Sequence, residues 1–162
     1  YVYDGKTHKP SIVAKIHKGE KITSKDYTVK YAAGCKNVGT YTVKVTFKGD
    51  YKGTFTKTFK INPKGTSLSK VKAARKSFSA TWKKQSKQTS GYQVQYSTNK
   101  KFAKSVKTST ISKNTTVKKT VKKLKSKRLY YVKVRTYKTV KINGKTTKLY
   151  SGWSSYKKVK TK

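Results

Sequence analysis

Acidic residues are almost missing from this chain. Asp4, Glu20, Asp26 and Asp50 stand against 43 lysines and arginines in 162 residues. Residues 64–162 contain no Asp, Glu, His or Cys at all, so the commonest general acids and bases are excluded from that stretch. Cysteine occurs once, at Cys35; an internal disulfide and a Cys-x-x-Cys zinc or redox site are both ruled out. No run of about 18 apolar residues exists, so no membrane insertion is expected. Arginine is scarce as well. With only Arg75, Arg128 and Arg135 present, the positive charge is nearly all lysine. Initiator methionine and signal peptide are lacking, and Tyr1 begins abruptly in strand-like sequence, which leads us to expect an excerpt from a longer protein.

What is present argues for a folded all-β chain. Thirteen tyrosines and five phenylalanines supply apolar bodies that a disordered Lys/Thr/Ser tail lacks. Alternation with a period of two recurs at Ile12/Ala14/Ile16, Tyr27/Val29/Tyr31, Tyr41/Val43/Val45/Phe47 and Phe59/Ile61. It returns at Phe78/Ala80/Trp82, Tyr92/Val94/Tyr96 and Tyr130/Val132/Val134, the pattern of half-buried strands. Turn signals separate the runs, among them Asp4-Gly5, Ala33-Gly34, Gly49-Asp50 and Lys64-Gly65. Asn143-Gly144, between two polar strand-like runs, predicts a type I′ hairpin. No amphipathic helix is apparent.

A boundary is expected near Ile61-Asn62-Pro63-Lys64-Gly65, where proline ends a strand and glycine loosens the link. Charge steps at the same place. Residues 1–63 carry 13 lysines and all four acids, a net +9, whereas residues 64–162 carry 30 cations and no acid, a net +30. The division expected is a domain over 1–63, a linker over 64–66 and a second domain over 67–162.

Two resemblances give these halves a fold. Trp82, GYQVQYS over 91–97, and Leu124 followed six residues later by Tyr130 in LKSKRLYYVKV resemble a fibronectin type III domain. They stand for its B-strand tryptophan, its strand C, its E–F corner leucine and its strand-F tyrosine. Val117 and Val121 share a parity with Lys119, so this lysine must snorkel or sit at a distortion. The first half, with YVYDG, KDYTVKYAAG, NVGTYTV and DYKGTFTKTFKINP, is similar to the YDG-type Ig-like repeats of Gram-positive surface proteins; Cys35 departs from that pattern. The resemblances imply two consecutive small β-sandwich-like domains, Ig-like and then fibronectin type III, in an extracellular, secreted or cell-wall-associated protein.

The stretch YSGWS, Tyr150 to Ser154, is similar to the WSxWS motif of cytokine-receptor fibronectin domains, with Tyr150 in place of the first tryptophan. That resemblance implies that Trp153 stacks on Arg135 and Lys133 as a structural cation–π ladder. An exposed aromatic platform for a sugar ring or a base is the other reading of Trp153. Elsewhere, chemistry is poorly served. His8 and His17 lack a third ligand, so neither a metal nor another cofactor is expected. Cys35 reads as a free loop thiol rather than a nucleophile. A Lys–Asn isopeptide crosslink needs a nearby carboxylate that the second half cannot offer. We therefore expect no enzyme.

The lysine clusters are the strongest functional signal. Lys118, Lys119, Lys122, Lys123, Lys125, Lys127 and Arg128, together with Lys157 and Lys158 of the basic tail, have no acidic neighbours in sequence. Such a field attracts polyanions, and self-repulsion in an acid-free domain favours a partner that relieves it. Base-specific DNA readout favours bidentate arginine, so nucleic acid is expected to bind only nonspecifically. The expectation is a monomeric, non-catalytic C-terminal module acting as a spacer and attachment unit, with a cell-wall teichoic acid or an anionic glycan as partner. A purely structural stalk and an accessory module of an upstream enzyme remain as alternatives.

Overall fold

The computed structural model describes residues 1–14 and 22–162. It is all-β, with eleven strands and no helix among the described residues. The chain divides into two compact units, Tyr1 with Tyr3–Ile61, and Val2 with Asn62–Lys162. Residues expected as a linker are bonded into the second unit: Thr136 Oγ1 donates to Lys64 O at 2.7 Å and Thr66 Oγ1 donates to Lys83 O.

Among its described residues the first unit forms one antiparallel sheet in the order β1 (Tyr27–Tyr31), β2 (Gly39–Phe47), β3 (Thr54–Ile61). Alternation sorts its two faces. Tyr27, Val29 and Tyr31 lie opposite Phe47, Val45 and Val43, and Val43, Val45 and Ile61 are buried. Thr28, Lys30, Thr42, Lys44, Thr56 and Thr58 take the alternate positions and are exposed. Tyrosine hydroxyls tie down the preceding chain, Tyr31 donating to Pro10 O and Tyr27 to Ile12 O. The strand expected around Ile12 and Ala14 is not formed at residues 12–14, and Ile16, His17 and Glu20 lie outside the described residues. Cys35 is buried rather than accessible, its thiol donating to Ala32 O at 2.9 Å.

The second unit has two sheets. One is ordered β4 (Leu68–Ala74), β5 (Ser77–Trp82), β8 (Lys118–Val121). The other runs β10 (Lys145–Tyr150), β9 (Leu129–Ile142), β6 (Gly91–Ser97), β7 (Lys107–Ile111), and β11 (Lys157–Lys160) also pairs with β9. Phe78, Ala80 and Trp82 from the first sheet share one core with Tyr92, Val94, Tyr96, Tyr130, Val132 and Val134 from the second. These are the inward members of the sequence's alternating runs. Leu124 is buried at the corner between β8 and β9, and Tyr130 Oη accepts from Lys125 N at 3.4 Å. Lys119 lies in register with buried Ala80 yet is exposed; β8 is an edge strand, so a long lysine stem can reach past it to water. Asn143 and Gly144 have φ of 48° and 77°, the left-handed pair a type I′ turn requires.

Candidate functional site

The last strand of the second unit is broken, and the break is built around Trp153. β10 pairs with β9 as far as Tyr150 opposite Tyr137, and β11 resumes with Lys157 opposite Val132. Six residues, 151–156, therefore stand against the four of 133–136. A plain ladder cannot absorb two extra residues, and serine hydroxyls fill in. Ser151 N donates to Thr136 O (3.1 Å) while Ser151 Oγ accepts from Thr136 N (3.0 Å). Ser154 repeats the exchange with Val134, at 2.8 and 3.0 Å. The backbone groups of β9 thus stay paired, and Gly152-Trp153 is carried over the outward face of the strand.

That face is where alternation puts Lys133, Arg135 and Tyr137 when Val132 and Val134 enter the core. Arg135 Cζ lies 4.3 Å from the Trp153 ring centroid and 3.9 Å from that of Tyr150. Lys133 Nζ lies 5.0 Å from the same indole and 3.8 Å from the Phe102 ring. Tyr150, Arg135, Trp153, Lys133 and Phe102 thus alternate ring and cation in one stack. Arg135 is oriented from the side as well, its Nε and Nη2 donating to Gln93 Oε1 at 3.0 and 2.7 Å, where Gln93 is its registered neighbour on β6. Burial holds the Arg135 and Lys133 side chains below their ordinary pKa values, with the Arg135 charge adding to the effect at Lys133. Trp153, Arg135 and Lys133 are only half-buried. The sequence offered no sign that Phe102, in a turn far along the chain, would close the stack.

The lysine surface is distributed rather than single. Lys118 and Lys119 belong to β8 in one sheet, Lys157 and Lys158 to β11 in the other. Lys122, Lys123, Lys125, Lys127 and Arg128 occupy the β8–β9 connection, and all nine side chains are exposed. The structure brings Lys123, Lys125 and Arg128 together on one cleft, which Lys107 of β7 joins from across the chain. Thr161 holds the rim in place: its Oγ1 donates to Lys125 O (2.6 Å) and accepts from Arg128 N (3.0 Å).

A fibronectin type III domain model matches residues 61–151, more than half of the sequence. The chain belongs to the fibronectin type III family. Solved structures that resemble it include two multidomain fragments. The FN1–FN3 domains of chicken CNTN1 share 20% identity at a TM-score of 0.50, covering 77% of this chain and 43% of that one. Domains A168–A170 of titin share 18% identity at a TM-score of 0.40, covering 88% and 51%. The chain therefore spans about half or less of either fragment, and identities this low bear on fold alone. No curated protein matches the sequence.

In the first unit His8 and Cys35 meet through the backbone, His8 N donating to Cys35 O at 2.7 Å. His8 Nε2 lies 2.9 Å from Asp4 Oδ1, and its ring rests against Tyr1 at 4.6 Å between centroids. Among the described residues, no group of three or more His, Cys, Asp or Glu could hold a metal ion. No helix of the described residues is long and apolar enough to cross a membrane.

Proposed function

We propose that this chain is a non-catalytic module of a bacterial cell-surface or secreted protein: a spacer whose fibronectin type III unit attaches to an anionic polymer of the cell wall or to an anionic glycan. In this reading residues 1–63 are a YDG-type Ig-like domain, and the module works as a monomer. The observation that carries the reading is the absence of any acidic side chain against 30 cations in residues 64–162. Lysine is a compact point charge suited to sequence-blind contact with phosphate or sulfate, and here it is displayed on both sheets and on the corner between them. A polyanion that binds this surface relieves the repulsion among its lysines and gains counterion-release entropy.

Retention of the 162-residue chain on teichoic-acid-bearing walls, on heparin and on single-stranded DNA, measured across salt concentrations, tests the reading. Binding should weaken steeply with salt for all three, in proportion to the lysines engaged. Walls or sulfated glycan ahead of DNA at matched charge supports attachment. Parity among the three reduces the surface to generic electrostatics, and no retention near 0.15 M salt on either of the first two leaves a structural stalk.

A further inference from the structure

The cleft beneath the β8–β9 corner has features that a solvated lysine patch lacks. Its volume is about 350 Å³, within the range of sites that hold small molecules. Its floor is apolar and aromatic: Tyr96, Leu124 and Tyr130 line it and are buried, and the two tyrosine rings pack edge to face at 6.3 Å. Its rim carries four cations from two separate parts of the fold, Lys107 on β7 and Lys123, Lys125 and Arg128 on the corner.

The rim is held before any ligand arrives. Besides the Thr161 bonds, Leu124 N donates to Lys76 O at 2.9 Å, and Lys125 N donates to the Tyr130 hydroxyl on the floor. Lys123 sits at φ 59°, a left-handed conformation that the surrounding bonds must stabilise. No side-chain carboxylate exists anywhere in residues 64–162 to neutralise the four charges. Like charges gathered at one mouth repel, and an anion seated among them converts that repulsion into charge-assisted hydrogen bonds.

We propose that this cleft is a discrete subsite for one sugar-sized or glycerol-sized unit bearing a phosphate or sulfate, with the four cations on the oxyanion and the Tyr96–Leu124–Tyr130 floor against the carbon skeleton. The subsite deepens the polyanion reading above and rests on it for the polymer to which that unit belongs.

The test uses the 162-residue chain, ¹⁵N-labelled, titrated at 0.15 M salt with glucosamine 6-sulfate and, separately, with glycerol 3-phosphate. The two probes distinguish a sulfated glycan from a phosphodiester polymer as the source. Saturable shifts should centre on Tyr96, Leu124 and Tyr130. Replacing Lys107, Lys123, Lys125 and Arg128 together by glutamine should weaken the better probe by about tenfold or more, the loss expected when charge-assisted contacts are removed. A control with the exposed Lys83, Lys84, Lys87 and Lys141, none of which lines the cleft, replaced by glutamine removes the same charge elsewhere and should change the affinity by no more than about twofold, since exposed distant charges are largely screened. If the fourfold cleft variant loses its dispersed spectrum, Lys107→Gln and Lys123→Gln taken singly decide by the same contrast with the control.

Absence of saturable shifts in the cleft, or equal weakening in both variants, overturns the subsite. If in that case walls or heparin still retain the chain, the attachment reading stands without it. If a small probe saturates the cleft while the polymers are not retained, the subsite stands and the attachment reading falls.

Discussion

The two units of this chain carry equally clear strand alternation, yet they turn it into very different interiors. In the fibronectin type III unit, two sheets present their inward residues to each other, and Phe78, Tyr92, Val94, Val132 and Val134 become fully buried. In the first unit the described residues form one three-stranded sheet, and Phe55, on the same face as buried Val45, remains 48% exposed. Alternation thus states which side chains share a face. It does not state how completely that face will be covered, which depends on what packs against it. Charge separates the units too, with all four acids in one and none in the other.

The largest expected effect comes from truncating the two phenylalanines that mark this contrast. Phe78→Ala should cost about 3–5 kcal/mol, the usual loss for a buried aromatic. Phe55→Ala should cost about 1 kcal/mol or less, because much of that ring already meets water. Amide exchange read unit by unit in the full chain checks both. Phe78→Ala should deprotect residues 62–162 while leaving β1–β3 protected, and simultaneous loss in both units would show that they unfold as one.

Trp153 provides the next test. Trp153→Ala should lower the stability of the fibronectin type III unit by about 1–2 kcal/mol through lost cation–π contact with Arg135 and Lys133 and lost packing. Chemical denaturation monitored on amides of β9 measures it. Unchanged stability with lost glycan binding would instead make Trp153 a recognition platform.

Salt should then separate the units by electrostatics. Between about 0.01 M and about 0.15 M salt the Debye length falls from about 30 Å to about 8 Å. Repulsion among the 30 cations of residues 64–162 is screened over that range, so their unfolding midpoint should rise. The midpoint of the first unit should move less, since its net charge is smaller. Equal shifts would remove charge as the distinguishing feature.

The smallest effect expected is at acid pH, and its sign follows from two exposed carboxylates. Asp26 is held below the ordinary carboxylate value chiefly by the Thr23 hydroxyl, at 2.7 Å, and then by the Thr23 amide, at 2.8 Å. Asp4 is lowered first by the Lys6 amide, at 2.8 Å. A folded-state pKa below the unfolded one contributes stability that is complete above about pH 4 and lost as pH falls through the lowered value. The first unit should therefore lose protection on acidification below about pH 4, and Asp26→Asn should flatten that slope. Residues 64–162 contain no side-chain carboxylate and should lack this contribution.

Local chemistry made much of the architecture legible in advance. A strand's period of two is a property of neighbouring residues, so Tyr130, Val132 and Val134 could be assigned inward, and Lys133 and Arg135 outward, without knowledge of the partner sheet. The Asn143-Gly144 turn was readable for the same reason, because its backbone demand falls on two adjacent residues. The resemblance of YSGWS to the WSxWS motif pointed Trp153 toward Arg135 and Lys133, but it could not show that Ser151 and Ser154 restore the broken ladder, nor that Phe102 closes the stack. Those depend on which loop the fold delivers to the outward face of β9. The cleft lay further out of reach. Lys107 is a single lysine on an edge strand, and it meets Lys123, Lys125 and Arg128 only because the β6–β7 hairpin of one sheet ends where the chain crosses from β8 to β9. Such meetings are long-range in sequence, and only the packed structure decides them.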